Sequence, residues 1–222
     1  MMAGHDLLIY MHITFMGLWL GSDFGVYLMA NQIANPRLPL SERLNLLQLA
    51  LKLDMIPRTM LILMLPLGVH LGVNLGIFLV SNIALFSIWF ASLLWLAITW
   101  LVFLLEKKKA GQYLRMIDLS IRYILFVYLM VYGLKGFLQV DTNPAIWLSV
   151  KFMLFSLIIF MGLLLRIQVT KWVKGFQILG QDPHSEEAEM IISSTRKITA
   201  RQAQILWGLI LLCGFLGVTK AI

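Results

Sequence analysis

The chain has 222 residues, of which 60% are hydrophobic and only 13% charged, where soluble domains carry about a quarter charged residues. Its mean hydropathy of +0.85 excludes an ordinary soluble domain and points to an integral membrane protein. The net charge of +7 is read as basic cytoplasmic loops, not as a nucleic-acid surface, and the single cysteine, Cys213, excludes an intramolecular disulfide or a thiolate cluster.

A helix that crosses the hydrocarbon needs about 20 mostly apolar residues. Six stretches qualify, at roughly 7–30, 58–79, 82–105, 117–138, 145–167 and 203–221. The predicted fold is therefore an all-α, polytopic membrane bundle forming one domain over 1–222. The first run lacks the basic start and small-residue cleavage site of a signal peptide, so it is read as a retained span.

The first span contains "HITFMGLWLGSDF", with His12 and Asp23 where hydrocarbon penalises polar groups. At 3.6 residues per turn, His5, His12, Trp19 and Asp23 share one face, and Gly17, Gly21 and Gly25 share the opposite one. In the second span Gly68, Gly72 and Gly76 repeat the stripe, opposite His70 and Asn74. Small-xxx-small stripes let helix backbones approach closely. Both stripes thus predict helix packing, with the histidine faces turned into an interior cavity.

Before the second span, "LSERLNLLQLALKLDMIP" carries leucines on a broad face and is read as an interfacial helix ending before Pro57. The connections alternate in charge. Arg37, Arg43, Lys52 and Arg58 follow the first span, Lys107, Lys108, Lys109 and Arg115 the third, and Lys171, Lys174, Arg196, Lys197 and Arg201 the fifth. The connections at Val80 and "QVDTNPA" have no basic residue, apart from Lys135 at a span end. Cytoplasmic loops collect Lys and Arg, which places both termini outside and makes 168–202 a cytoplasmic loop. Within that loop Asp182 is the expected N-cap of a helix that runs straight into span six, with Pro183 first inside it. His184, Glu186, Glu187 and Glu189 are read as solvated.

Depth then sorts the polar groups within spans. By helix rise, His12 lies about 9 Å, His70 about 13 Å and Lys151 about 9 Å from the outer boundary. At the inner end, Asp23, Arg58, Asp118 and Arg122 are read as ion pairs, with Asp118 and Arg122 at i,i+4 spacing. Two histidines at one depth suggest the axial ligands of a haem b, with Trp19 beside the cofactor. Lys151, the candidate catalytic group, then neutralises a propionate or an anionic substrate. Should His70 not serve, Lys151, Met16 and His5 are the other candidates for the second ligand. Copper is the rival metal, held by His12, His70 and neighbouring methionines such as Met11 and Met16. A cofactor-free assembly subunit is the third reading. No Walker, HExxH, GxSxG or dinucleotide motif occurs.

These same residues carry a resemblance. "HITFMGLWLGSDF" resembles the histidine-bearing first helix of the HemJ-type protoporphyrinogen oxidases and the related CopD-like membrane proteins. "PAIWLSVKFMLFSLIIF" is similar to their later, lysine-bearing span, and "MIPRTMLILMLPLG" more weakly to their second. The likeness spans roughly residues 5–165. It implies a haem-b membrane oxidoreductase or electron-transfer protein, with His12 and Lys151 as the matching positions, and as its alternative a copper uptake or resistance permease. The partners implied are membrane lipid, a quinone or a redox protein, and a second copy of the chain is compatible. The compartment implied is the bacterial inner membrane.

Overall fold

Long apolar runs without internal breakers propagate as single helices once lipid removes water as a competing hydrogen-bond partner. The computed structural model describes residues 2–139 and 145–220. It contains α1 (Met2–Ile33), α2 (Leu40–Leu53), α3 (Met55–Asn74), α4 (Asn82–Leu104), α5 (Lys109–Phe137), α6 (Ile146–Gln181) and α7 (Glu186–Thr219). No strand occurs among the described residues. Six helical segments are long and apolar enough to cross a membrane, so the protein is an all-α integral membrane bundle. Residues 140–144 of the connection "QVDTNPA", and the end of the sixth span at 221, lie outside the described residues.

Neighbours pack in a closed order: α1 on α3, α3 on α4, α4 on α5, α5 on α6, α6 on α7 and α7 back on α1. The ring is filled at mid-height by Trp19, Leu61, Ile62, Ile158, Leu206 and Ile210. The α5–α6 crossing is close because Gly133 has no side chain; a Cβ there would lie 2.7 Å from both the Ser149 carbonyl oxygen and the Met153 side chain. Ser156 seals the same crossing by donating to the Phe126 carbonyl at 2.8 Å. Gly133→Leu is therefore expected to destabilise the protein by about 1–3 kcal/mol through overpacking, read as a lower midpoint in detergent thermal unfolding. An unchanged midpoint would mean that the two helices can separate there at no cost.

Three expectations change at the end of the bundle that carries α2. First, 168–202 is not a loop. α6 and α7 have 36 and 34 residues, about 54 and 51 Å at the helical rise, well beyond the ~30 Å hydrocarbon core. They run on as a helical stalk whose apolar seam, Trp172, Phe176, Leu179, Ala188 and Ile192, is a second core. Second, α7 begins at Ser185, whose hydroxyl accepts from the Ala188 N–H at 3.3 Å. Asp182 instead accepts from the His184 N–H at 3.1 Å and closes the hairpin. Third, α2 is more than an interfacial helix: it packs on α1 and α3 and adds Ala50, Leu46 and Leu47 to the stalk core, while Leu44 and Leu49 stay exposed. Arg43, 2% exposed, donates to the Ile33 carbonyl at 2.7 Å, pairs with Glu189 and sits over the Phe176 ring. Glu189 is thus a clamp residue and not a solvated one. The second span is also shorter than 58–79, because α3 ends at Asn74 and the chain turns at Gly76, where φ is +70°.

Candidate functional site

Two cavities lie one above the other inside the bundle, both walled by α1, α3, α6 and α7. Trp19, only 3% exposed, and Ile158, only 1% exposed, border both. They form the partition between an outer and an inner compartment.

The outer cavity has a volume of about 480 Å³, within the ~300–1,000 Å³ typical of small-molecule and cofactor sites. Its walls are mostly apolar, and its polar groups are His5, His12, Lys151, Cys213 and Lys220. Among the described residues no carboxylate lines it. His12 lies against Gly68 of α3; a Cβ there would stand 3.7 Å from the imidazole Cε1. The His12 Nδ1 is buried and has no hydrogen-bond partner, and the same holds for His5 Nδ1. Glycines on α7 admit the other occupants: a Cβ on Gly214 would meet Met16 Sδ at 2.9 Å, and one on Gly217 would meet Lys151 Nζ at 2.7 Å. Gly76 turns the chain back so that Phe78 packs on Gly72 and near the Phe152 ring, where it roofs the cavity.

The sequence-predicted residues divide. His12, Trp19 and Lys151 come together in the outer cavity, with His5 and Met16. His70 does not join them. It faces α4, edge-on to the Trp89 ring at 6.3 Å between centroids, and its Nδ1 is buried without a partner there. The helical wheel had His70 opposite Gly68 and Gly72, and that is correct. It is the glycine face, and not the histidine face, that looks into the cavity. The α1 stripe packs only at its end: a Cβ on Gly25 would lie 3.0 Å from the Leu53 side chain of α2, whereas one on Gly17 or Gly21 would touch nothing within 4 Å. The pairing of His12 with His70 as ligands is accordingly dropped, and His70→Ala is expected to leave the optical spectrum of any bound chromophore unchanged. A lost or shifted spectrum in that variant would return His70 to the site.

At the inner end, Asp118 has no exposed surface and gathers donors from three helices. Trp95 Nε1 and Thr99 Oγ1 of α4 donate to it at 2.9 and 3.1 Å. Arg122 Nε donates at 3.1 Å from one turn along α5, and Arg166 Nη2 of α6 at 2.7 Å. The i,i+4 pair was legible in the sequence; the other donors were not. Asp23 does not pair with Arg58. Its carboxylate accepts from Trp207 Nε1 at 2.6 Å, while Arg58 pairs with Asp54 at the foot of its own helix. Arg196, which the sequence places only among the basic residues after the fifth span, donates to Asn31 Oδ1 at 2.6 Å and stacks on Tyr27, which closes the α1–α7 seam.

Comparison with known protein families, with curated proteins and with solved structures finds no match to this chain.

Proposed function

We propose that the protein is a haem-b-binding oxidoreductase or electron-transfer protein of the bacterial inner membrane, with the outer cavity as its haem site. The observation that carries this reading is an imidazole without a protein partner in a largely apolar cavity of cofactor size, beside a lysine and with no acid among the described lining residues. When bound, haem supplies a one-electron centre whose potential depends on its axial ligands and their surroundings. His12 offers the ring nitrogen. Gly68 leaves the space in which the imidazole lies. Lys151 neutralises a carboxylate at the level of His12 and holds it in place, because a lone ammonium at that depth needs an anion. Lys220, exposed at the rim, adds a second positive charge. Trp19 closes the floor, and Phe78 limits access from above. His5, Met16 and Lys151, which line the same cavity, would be the residues to offer a second donor.

Oxidation of a protoporphyrinogen, which the resemblance implies, and electron exchange with a quinone or a redox protein are the two forms of this activity. A spectrum of the full chain, purified after expression with ample haem, tests the reading. The expected result is a Soret band with a sharp α-band on reduction. A colourless protein overturns it; bound copper would then favour the permease, and neither group the assembly subunit. Orientation has its own test. The basic loops predict that a reporter fused after Lys109 or within the stalk reads cytoplasmic. An external signal at Lys109 would invert the bundle and bring the haem cavity to the cytoplasmic side.

A further inference from the structure

The ring of helices is closed unevenly where its two ends meet. Toward α2, the helices α1 and α7 are tied by Asp23 to Trp207 and by Asn31 to Arg196, with Phe24 and Tyr27 packed on the Trp207 ring. Further out, Met16 packs against Gly214. These contacts run in opposite chain directions, so Val218, one turn beyond Gly214, stands at the level of His12 and Ile13. There the outer cavity is lined by side chains that also face out of the bundle: Ile9 is 39% exposed, Ile13 57% and Val218 83%. A residue that both lines a cavity and is exposed marks an opening. All three are apolar and lie in membrane-spanning segments, so this opening is a slot between α1 and α7 that faces hydrocarbon. Lys151 Nζ sits just behind it, against Gly217.

An apolar rim is unfavourable against water and neutral against lipid tails, so what passes the slot is dissolved in the membrane. What stops behind it is set by charge. An ammonium at that depth needs an anion, and the described lining supplies no carboxylate. We propose that the outer cavity is loaded sideways from the bilayer, through the slot between α1 and α7, by an amphiphile whose anionic head reaches Lys151. Its apolar body then lies along Ile9, Ile13 and Val218, where the protein leaves one side to lipid. On the remaining side Phe78, packed over Gly72, roofs the cavity and obstructs entry past the helix ends. This deepens the haem reading, because haem is itself an apolar ring carrying two carboxylates. It rests on that reading only in taking the outer cavity as a ligand site.

Cys213 is the only cysteine of the chain and lines this cavity, so its modification reports what reaches the interior. The test uses the full chain from haem-limited cells, in phosphatidylcholine nanodiscs, with adduct formation followed by intact mass. Two neutral maleimides are compared: N-hexylmaleimide, which dissolves in lipid, and one carrying a polyethylene glycol chain, which stays in water. The hexyl reagent is expected to modify Cys213 at least tenfold faster. Ile13→Trp with Val218→Trp adds bulk at two exposed rim positions and should slow that reagent at least tenfold. If the double variant fails to fold, Val218→Trp carries the test alone. Leu18→Trp, on exposed surface away from the slot, should react as the wild type does. Laurate should protect Cys213 saturably and methyl laurate should not, and Lys151→Met should lose the protection. Equal or faster reaction of the water-borne reagent, no reaction of the hexyl reagent, or a wild-type rate in the rim variant overturns the lateral route. Equal protection by the ester, or protection that survives Lys151→Met, overturns the anionic head. None of these readouts needs haem, so a colourless protein would defeat the haem reading and leave this result standing.

Discussion

Asp118→Asn is expected to lower the yield of folded protein several-fold and to depress its unfolding midpoint, without changing the spectrum of the protein that survives. The carboxylate is the only acceptor shared by Arg122, Arg166, Trp95 and Thr99 among the described contacts. An amide keeps one acceptor oxygen and turns a donor toward two guanidinium groups whose side chains are 5% and 15% exposed. Removing one partner of a buried ion pair costs about 3–5 kcal/mol, and here three helices lose their common tie. Arg122→Gln should act in the same direction but less severely, because Arg166 still compensates Asp118. The outer cavity is built without α4 or α5, so its occupant should not report the change. Normal yield with an altered spectrum would show that this cluster serves the cofactor and not the fold.

His12→Ala is expected to abolish low-spin haem or leave a weakly held, high-spin form. Alanine supplies no donor, and its methyl leaves the imidazole's space empty next to Gly68. The effect should be close to all-or-none in absorbance, whereas Lys151→Met should retain haem with an altered potential or activity, because it removes a counter-charge and not the iron's nitrogen ligand. If Lys151→Met instead loses the low-spin signature, the lysine is itself an axial ligand. Alanine variants of His5 and Met16 complete the series, since both reach the same cavity. Only a change of spin state in one of them would name the second ligand. A His12→Ala protein with the wild-type spectrum would move the haem out of this cavity altogether.

What could be read from the sequence was what is local in it. The six spans were legible because each is a long apolar run, and Asp118–Arg122 because i,i+4 neighbours meet on any helix. Arg166 and Trp95 reach Asp118 from 48 positions ahead and 23 behind, and no helical period connects them. His70 shows a subtler limit. A helical wheel says which residues are opposite, but not which side of the helix the bundle occupies. A glycine stripe fits a close helix crossing and a cavity wall equally well, and in α3 it is the wall. The stalk was hidden by its charges. Even so, the spacing of Trp172, Phe176 and Leu179, four and then three residues apart, marked a buried helical seam that a search for uncharged spans passes over.

Trp19 gives the two compartments a common wall, and a common wall makes them thermodynamic neighbours. An outer ligand that presses the indole downward takes room from an inner one, and an inner ligand that props it up takes room from the outer. Each occupant must then change the affinity of the other by one and the same factor, whatever their chemistry, because linkage is reciprocal. The size of that factor depends on how far a single side chain can yield.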